Sequence, residues 1–562
     1  MRWQDFCVSA VALASFAATA GTSSTAFEPF RPGTVRVGGE IGHRLEMTAD
    51  KLLHKVDIEE TFFRGFRIRK DVPDMWGGFS GWGMALDAIV KAAAHGVGGE
   101  EMVRFKERWV SETISTQTAD GSISMFLSNP GVWDSHEQAY LIQALCNDHR
   151  WFGAEKSLAA ARRLADYLIA RNATVNLGLE TAFVLLYEET GNIRYANWCR
   201  DRFLIEKGND AYDSILPENG VVHVYTWLQR ALAQMQYARM TGRTTPALEA
   251  AAEELFRRTG GDWLSVSGSM SGGPIWGELW DRSQVGLGKW GETCVSAYLL
   301  RVTAERMRSH PETRLGDLYE RVLYNAFFGA QSHDGAKQRY FIPFNERGDW
   351  YERETYCCPN NLRRMMFEIP DAVFFRTDDG FALNLFAPSG LRTDGLEVSV
   401  KTDYPNDGKI AVAVKAAKAG AMRVRVPRWT DLDDAGTWRT YPYAAGETTV
   451  AFEFPMAVRF IRGRVAQDGK VAVMRGPVVY GLELPEKGWH GVVDAWEIDG
   501  RSPVAWKDDG VVLTMVSRKF DRARTNVVLR AFASDRRART YFPLCGNVRT
   551  KDDELLTKGN ER

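Results

Sequence analysis

The sequence predicts a multidomain α + β protein, with an N-terminal (α/α)6 toroid over residues 27–380 and a C-terminal antiparallel β-sandwich region over residues 381–562. Between about residues 80 and 330, apolar residues recur at spacings of three and four, which is typical of packed helices. After about residue 380 the period changes to two, which is typical of half-buried strands. A chain of 562 residues with 45% hydrophobic content can bury more than one core.

The first 26 residues have the pattern of a signal peptide. Arg2 precedes an uncharged stretch from Phe6 to Ala26 that is rich in Ala, Ser and Val and contains small-residue cleavage sites. We therefore expect export to the periplasm or the medium, with a disordered leader as the alternative. No other segment approaches the roughly 20 apolar residues that a membrane span requires.

The helical region is predicted from ten amphipathic segments joined by short polar turns. Gly191 and Gly242 follow two of them in the position of helix-ending glycines. Because helices occur in this number without intervening strands, a toroid is favoured, and a helical solenoid is the alternative. The segments are 83–95, 100–117, 136–147, 155–171, 178–189, 193–206, 222–242, 246–258, 292–308 and 312–328.

The strand region is predicted from alternating segments such as Val398–Tyr404, Ile410–Lys415 and Met422–Val426. Turn sequences such as Asn406–Gly408 separate them. This pattern predicts one or two antiparallel sandwiches.

Charge and composition restrict the partners. Lys and Arg total 71 and Asp and Glu total 72, so no net field attracts nucleic acid or anionic lipid. A neutral ligand is favoured. Aromatic residues make up 12% of the chain, which suits either sugar stacking or a large core.

Adjacent cysteines at 357 and 358 point to metal binding. A disulfide between neighbours would strain the peptide that joins them. Glu292 and Cys294, at a predicted helix start, can reach one ion together, and Cys357 with Cys358 can complete a set of three sulfurs and one carboxylate. Zinc accepts such a set. The alternative is that Cys294 is a small buried apolar residue and that the cysteine pair binds nothing.

Several short segments together resemble glycoside hydrolase family 127, the β-L-arabinofuranosidase-like cysteine glycosidases, and its close relatives. The most specific are Glu292-Thr293-Cys294 and Cys357-Cys358-Pro359. Further matching segments run along most of the chain: Asp317–Asn325, Asn384–Ser389, Thr402–Pro405, Arg425–Pro427 and Arg475–Tyr480.

The resemblance implies a retaining exo-glycoside hydrolase that acts on an L-arabinofuranoside or related glycoside. It implies Cys357 as the nucleophile and Glu278 as the general acid/base, with the toroid as the catalytic domain. It also implies Zn²⁺ held by Glu292, Cys294, Cys357 and Cys358. No nucleic acid or membrane span is expected, and a homodimer is compatible with the sequence. The implied substrate contacts, each of which could instead be structural, are His136, His223, Glu320 and Tyr340.

The chemistry of this set is consistent. Retaining glycosidases hold nucleophile and acid about 5 Å apart. Trp276 and Trp280 flank Glu278, and desolvation by such neighbours raises a carboxyl pKa toward the value that a general acid needs. Zinc binding ionises a thiol that is otherwise mostly protonated at neutral pH.

Two departures from the family leave the sugar open. Ile342 precedes Pro343 where the family typically has Asn, and the segment from Glu278 to Glu292 is short and carries Arg282 and Lys289. Another furanose or an acidic sugar is therefore an alternative substrate.

Two further alternatives change the class of protein. One is a non-catalytic carbohydrate-binding protein that zinc staples together. The other is a lyase that uses His223 and Tyr225, although residues two apart on a helix point away from each other.

Overall fold

The computed structural model describes residues 26–70, 79–127, 132–173, 178–212, 223–261, 263–270, 284–483, 495–519 and 521–556. Helices dominate up to Met366, and strands dominate from Phe374 onward. The predicted division into a helical part and a sheet-rich part is therefore confirmed. Most of the predicted signal peptide, residues 1–25, lies outside the described residues.

The predicted helices are present, with bounds that differ by a few residues. The segment predicted as 312–328 is an α-helix that continues as a π-helix over Val322–Phe327. Among the described residues, no helix combines the length and apolar character that crossing a bilayer requires. The α-helices are α1 (Gly39–His54), α2 (Arg64–Ile68), α3 (Trp82–His95), α4 (Gly99–Ser115), α5 (Val132–Phe152), α6 (Glu155–Ala170), α7 (Leu179–Thr190), α8 (Ile193–Phe203), α9 (Val224–Thr241), α10 (Pro246–Thr259), α11 (Thr293–Ser309), α12 (Thr313–Arg321) and α13 (Cys357–Met366).

Alternate helices form a closed ring. α3, α5, α7, α9, α11 and α13 each pack against the next, and α13 packs back against α3. α4 packs against α3, and α6 packs against α5, so these helices alternate along the chain with helices of the ring. The ring of six is the arrangement that the predicted toroid requires, and α13, absent from the predicted set, closes it.

Four of the ring helices begin at the same end of the toroid. One large cavity is lined by Phe79 just before α3, Trp133 at the start of α5, His223 just before α9 and Tyr356 just before α13. The first backbone N–H groups and the positive dipole ends of these four helices therefore face this region, which favours anionic side chains there.

Short segments other than α-helix connect these elements, and the sheet region follows. The π- and 3₁₀-helical segments are Glu59–Phe63, Ile205–Tyr212, Val322–Phe327, Ile369–Ala372 and Val465–Gln467. The strands are β1 (Glu28–Pro29), β2 (Val35–Val37), β3 (Gln338–Arg339), β4 (Trp350–Tyr351), β5 (Phe374–Thr377), β6 (Gly380–Leu383), β7 (Ser389–Thr393), β8 (Leu396–Thr402), β9 (Lys409–Ala416), β10 (Gly420–Arg425), β11 (Trp438–Tyr443), β12 (Gly446–Glu453), β13 (Val458–Arg462), β14 (Lys470–Arg475), β15 (Val478–Glu483), β16 (Trp496–Asp499), β17 (Ala505–Lys507), β18 (Gly510–Ser517), β19 (Arg524–Ala531), β20 (Arg537–Arg539), β21 (Tyr541–Cys545) and β22 (Thr550–Lys551).

The sheet region differs from the predicted antiparallel sandwich in two ways. Two five-stranded sheets have the orders β1-β5-β6-β10-β11 and β12-β9-β8-β7-β2. The strands that follow pair in the order β14-β15-β19-β18-β16-β21 and return to β14, which closes a six-stranded barrel. β10 with β6 and β16 with β21 pair in parallel. A sequence period of two places side chains on alternate faces but does not say which strands pair, so closure and direction were not predictable from it.

The first strands of the chain belong to the C-terminal sheets. β1 pairs with β5, and β2 pairs with β7. Residues 28–37 were assigned to the toroid from the sequence, but they complete the edges of two sheets instead. The N-terminal segment thereby links the two regions.

Candidate active site

The side chains predicted as metal ligands converge at the cavity end of the toroid. Glu292 is the residue before α11 and Cys294 is the second residue of that helix, while Cys357 and Cys358 open α13. α11 and α13 are neighbours in the ring. One ligand atom from each of the four residues lies within 4.8 Å of all the others. The cluster could therefore hold a metal ion.

Short contacts join the buried members of this cluster. The thiol of Cys358 lies 3.2 Å from Glu292 Oε1 and 3.3 Å from Cys294 Sγ. Glu292, Cys294 and Cys358 are fully buried. Because buried polar groups usually have partners, these contacts indicate that the fold holds the three side chains together.

Cys357 differs from the other two sulfurs because it is half-buried and lines a cavity of about 920 Å³. Its sulfur lies 3.2 Å from the hydroxyl oxygen of Tyr340. Hydrogen bonds from the thiols of Cys294 and Cys358, together with that hydroxyl, hold the pKa of Cys357 well below its usual range. Burial raises the pKa of Cys294 and of Cys358. Cys357 is thus the preferred thiolate of the three.

The backbone before Cys357 is held in an unusual conformation. Tyr356 has φ +74°, in the left-handed region that non-glycine residues seldom adopt. Its amide donates to the carbonyl of Ser80. Gly81 packs so closely that a Cβ there would lie 2.7 Å from the Tyr356 carbonyl oxygen. The loop before α3 therefore fixes the turn that presents Cys357.

Glu137 anchors that loop and was not recognised from the sequence. It lies on α5, is fully buried, and accepts hydrogen bonds from the backbone amides of Ser80 (2.8 Å), Gly81 (2.9 Å) and Gly83 (2.6 Å). A carboxylate at the start of a helix satisfies N–H groups that otherwise lack partners. Glu137 is far along the sequence from the amides that it binds, so no local sequence pattern identifies it.

His136, His223 and Tyr340, predicted as substrate contacts, all line the cavity. Nε2 of His223 lies 3.2 Å from Glu292 Oε2, and burial lowers the pKa of this histidine to about 4. His223 is therefore neutral at pH 7. His136 packs against the rings of Phe79 and Tyr140 at centroid distances of 4.5 and 5.2 Å.

His223 and Tyr225 also face the same cavity, with ring centroids 5.4 Å apart. We expected them to point apart because they were assigned to one helix. That expectation is wrong because α9 begins at Val224, so His223 precedes the helix and its direction is not set by helical geometry.

Glu320 is not at this site, which corrects the prediction that it contacts the sugar. It is fully buried on α12, 2.7 Å from Arg425 Nη2, and accepts a hydrogen bond of 3.1 Å from the hydroxyl of Tyr404. It joins the toroid to the sheets. In the sequence, a glutamate in a segment that resembles the family can be a partner in a buried ion pair or a substrate contact. The sequence alone does not separate these two roles.

Glu278 lies outside the described residues, as do Trp276, Trp280 and Arg282. Lys289, predicted near the acid, is described and lines the cavity. The remaining wall is rich in aromatic rings with a few charged groups, as is usual for small-molecule sites. Its aromatic residues are Phe79, Trp133, Tyr225, Tyr340, Phe341, Trp350, Tyr351 and Tyr356.

Two family models and a curated relative match long stretches of this chain. Residues 40–371 match the model described as β-L-arabinofuranosidase, GH127 catalytic domain, and residues 380–451 match the GH127 middle domain. A non-reducing end β-L-arabinofuranosidase of Bifidobacterium longum is 24% identical, over 68% of this chain and 72% of that protein.

Two solved structures share the fold. A GH127 β-arabinofuranosidase superposes with a TM-score of 0.77 at 17% identity, covering 93% of this chain and 98% of the other. A GH127 β-L-arabinofuranosidase from Geobacillus stearothermophilus T6 gives 0.73 at 20% identity, covering 91% and 99%. The match extends over both the helical and the sheet-rich regions.

Proposed function

This chain belongs to glycoside hydrolase family 127, and we propose that it is a retaining, exo-acting β-L-arabinofuranosidase in which Cys357 is the nucleophile and Glu278 the general acid/base. That it is a glycoside hydrolase with a carbohydrate substrate follows from the family. The sugar, the nucleophile and the stereochemical course are our proposal.

The observation that carries the proposal is the unequal placement of the three sulfurs. Cys294 and Cys358 are enclosed, whereas Cys357 is half-buried at the cavity wall and is the sulfur whose pKa is lowered. A staple that only holds two loops together has no need to present one ligand to a cavity of about 920 Å³. A nucleophile must reach the anomeric carbon, so this arrangement favours catalysis over a purely structural role.

The four side chains suit a zinc ion by their chemistry, and their donor atoms are close enough to surround one ion. Donors placed about 2.0–2.3 Å from a tetrahedral zinc lie roughly 3.3–3.8 Å from one another. The donor atoms of Glu292, Cys294, Cys357 and Cys358 lie within 4.8 Å of each other. Thiolates favour zinc over magnesium or calcium. When bound, zinc would keep its coordinated thiols ionised at neutral pH.

The first half of the reaction forms a bond between Cys357 Sγ and the anomeric carbon and breaks the bond from that carbon to the leaving oxygen. Glu278 gives its proton to that oxygen. The product is a thioglycosyl-enzyme on Cys357. The hydroxyl of Tyr340, 3.2 Å from the sulfur, orients the thiolate before the attack.

The second half returns the enzyme to its starting state. Glu278, now a carboxylate, takes a proton from water, whose oxygen bonds to the anomeric carbon while the carbon–sulfur bond breaks. The electron pair returns to Cys357. Two inversions at one carbon give net retention. His223, neutral at pH 7, keeps the carboxylate of Glu292 oriented by its contact of 3.2 Å.

Hydrolysis of an aryl β-L-arabinofuranoside by purified protein tests the proposal. We expect turnover with release of L-arabinose in the β configuration first, seen by NMR, and loss of turnover after dialysis against a chelator. Glu278→Gln should lose turnover of substrates with poor leaving groups and keep its metal. Full activity in that variant would remove Glu278 from the mechanism.

A cysteine glycosidase for an acidic sugar is the second candidate. Lys289, Arg347 and Arg353 line the cavity alongside Glu346 and Asp349, so a carboxylated sugar would meet cationic partners. Assays of aryl glycosides of neutral furanoses and of uronic acids in parallel distinguish the two. Preference for the uronide by kcat/KM would favour the second candidate.

We also propose that residues 1–26 direct export of the protein. A second proposal is that the protein forms a homodimer. Fractionation of expressing cells with N-terminal sequencing of the mature protein tests the former. Light scattering of the purified enzyme tests the latter.

A further inference from the structure

The proposed metal-ligand cluster carries more negative charge than one divalent cation cancels. Three thiolates and a carboxylate carry four negative charges, of which a divalent cation cancels two. This count depends on the proposed function. Glu292, Cys294 and Cys358 are fully buried, where uncompensated charge is costly. Positive groups nearby would therefore be expected to offset the remainder.

Asn361 links this cluster to positive charge. It lies one helical turn after Cys357 on α13 and is fully buried. Its Nδ2 donates to Cys294 Sγ at 3.2 Å. Its Oδ1 accepts from Arg301 Nη1 and from Arg364 Nη1, each at 3.3 Å. The amide cannot be turned round, because its NH₂ would then face two guanidinium groups.

The two arginines belong to an ion network that joins the ring helices α3, α11 and α13. Arg301 Nε lies 2.7 Å from Glu368, and Arg364 Nε lies 2.6 Å from Asp87. Lys91 bridges the two carboxylates at 2.5 and 2.6 Å. Three cations and two carboxylates leave one net positive charge. Although burial raises the pKa of Glu368, the surrounding cations hold it to about 2, so the network stays ionised at neutral pH.

We propose that Asn361 is a positioning residue that fixes the Cys294 thiolate and connects it to the net positive charge of this network. Its amide dipole has guanidinium groups at the oxygen and the sulfur at the nitrogen, which is the favourable orientation at both ends. The N–H···S bond withdraws electron density from Cys294. That bond lowers the nucleophilicity of Cys294, so Cys294 serves as a ligand, and the half-buried Cys357 is the sulfur that faces the cavity.

Cobalt-substituted enzyme tests this directly, because the thiolate-to-cobalt charge-transfer band reports the energy of the sulfur electrons. Asn361→Asp keeps an acceptor for both arginines and removes the donor to sulfur. Asn361→Leu removes donor and acceptor without adding charge. We expect both variants to shift the band to longer wavelength, and Asn361→Leu to weaken zinc binding by about 10- to 100-fold in chelator competition.

Asn384→Asp is the matched control. Asn384 is fully buried, accepts from Arg425 Nε at 3.1 Å and donates to the Ala372 carbonyl at 3.0 Å, but contacts none of the three sulfurs. The same chemical change there should leave the band in place.

The outcomes separate the inference from the proposed function. An unshifted band with unchanged zinc affinity in folded Asn361→Leu, or a shift in the Asp variant alone, would overturn the role of the N–H···S bond. If Asn361→Leu fails to fold by circular dichroism, Asn361→Ala decides in its place, because it removes the same donor and acceptor without adding charge, and an unshifted band there overturns the inference. Absence of any thiolate-to-cobalt band in the wild-type protein would instead refute the proposed metal site.

Discussion

Replacement of Glu320 by glutamine tests whether this residue is structural or contacts the substrate. Its carboxylate lies 2.7 Å from Arg425 Nη2 and accepts from the Tyr404 hydroxyl at 3.1 Å, and both Glu320 and Arg425 are fully buried. Glutamine keeps the size and one acceptor oxygen but loses the charge. Arg425 retains its second carboxylate partner, Asp317.

The magnitude follows from this geometry. A hydrogen bond between charged groups contributes about 1.5–3 kcal/mol. Burial raises the pKa of Glu320 even beside Arg425, so the neutral replacement should cost about 1.5 kcal/mol, at the lower end. Glu320→Leu, which leaves Arg425 Nη2 without this acceptor, should cost about 3–5 kcal/mol.

Urea unfolding followed by tryptophan fluorescence measures the loss, and steady-state kinetics on an aryl β-L-arabinofuranoside measures the site. For Glu320→Gln we expect a lower urea midpoint and an unchanged KM. Tyr340→Phe is the comparison, since it removes one hydroxyl beside Cys357 and should lower kcat with little effect on the midpoint. A KM raised about tenfold or more with unchanged stability would show that Glu320 binds sugar and refute the structural reading.

Substitutions of Asp134 and of two cysteines test the effect of burial on stability and the roles of the cysteines in metal binding and catalysis. Burial raises the pKa of Asp134 to about 7, so the folded state favours its protonated form, and the stability that this provides below about pH 4 is lost as pH rises through 7. Asp134→Asn should match the wild type in free energy of unfolding at about pH 4 or below and exceed it at pH 8, by on the order of a few kcal/mol; equal differences between the two proteins at both pH values would contradict the burial argument. Cys294→Ser should lose zinc, measured by mass spectrometry of the metal, whereas Cys357→Ser should lose turnover even in preparations that retain metal; an active Cys357→Ser enzyme would exclude the nucleophile.

The helices were largely predictable because each has its own apolar stripe. The segments predicted at 155–171 and 246–258 appear as Glu155–Ala170 and Pro246–Thr259. α13 was not among the predicted segments, although Pro359 lies in its first turn, where proline is tolerated. The spacing of Leu362, Met365 and Met366 could have revealed that helix.

The long-range features were less accessible. The four residues that cluster as candidate metal ligands were predicted from adjacent cysteines and a family resemblance, but Asn361 and Glu137 act on residues far away in the sequence, and no local period marks them. The pairing of β1 with β5 and the closure of the barrel at β14 depend on tertiary contacts in the same way. Polar residues with structural and functional roles look alike in one sequence, and for this reason Glu320 was misassigned.

Identification of the residue that carries the sugar in the glycosyl-enzyme is the most direct test of the account. Glu278→Gln mixed with an aryl β-L-arabinofuranoside that has a good leaving group should accumulate the intermediate, because the base for its hydrolysis is missing. Intact mass and peptide mapping should then show one anhydropentosyl group on Cys357. A sugar attached to any other residue, or direct inversion with no adduct, would contradict the proposed nucleophile.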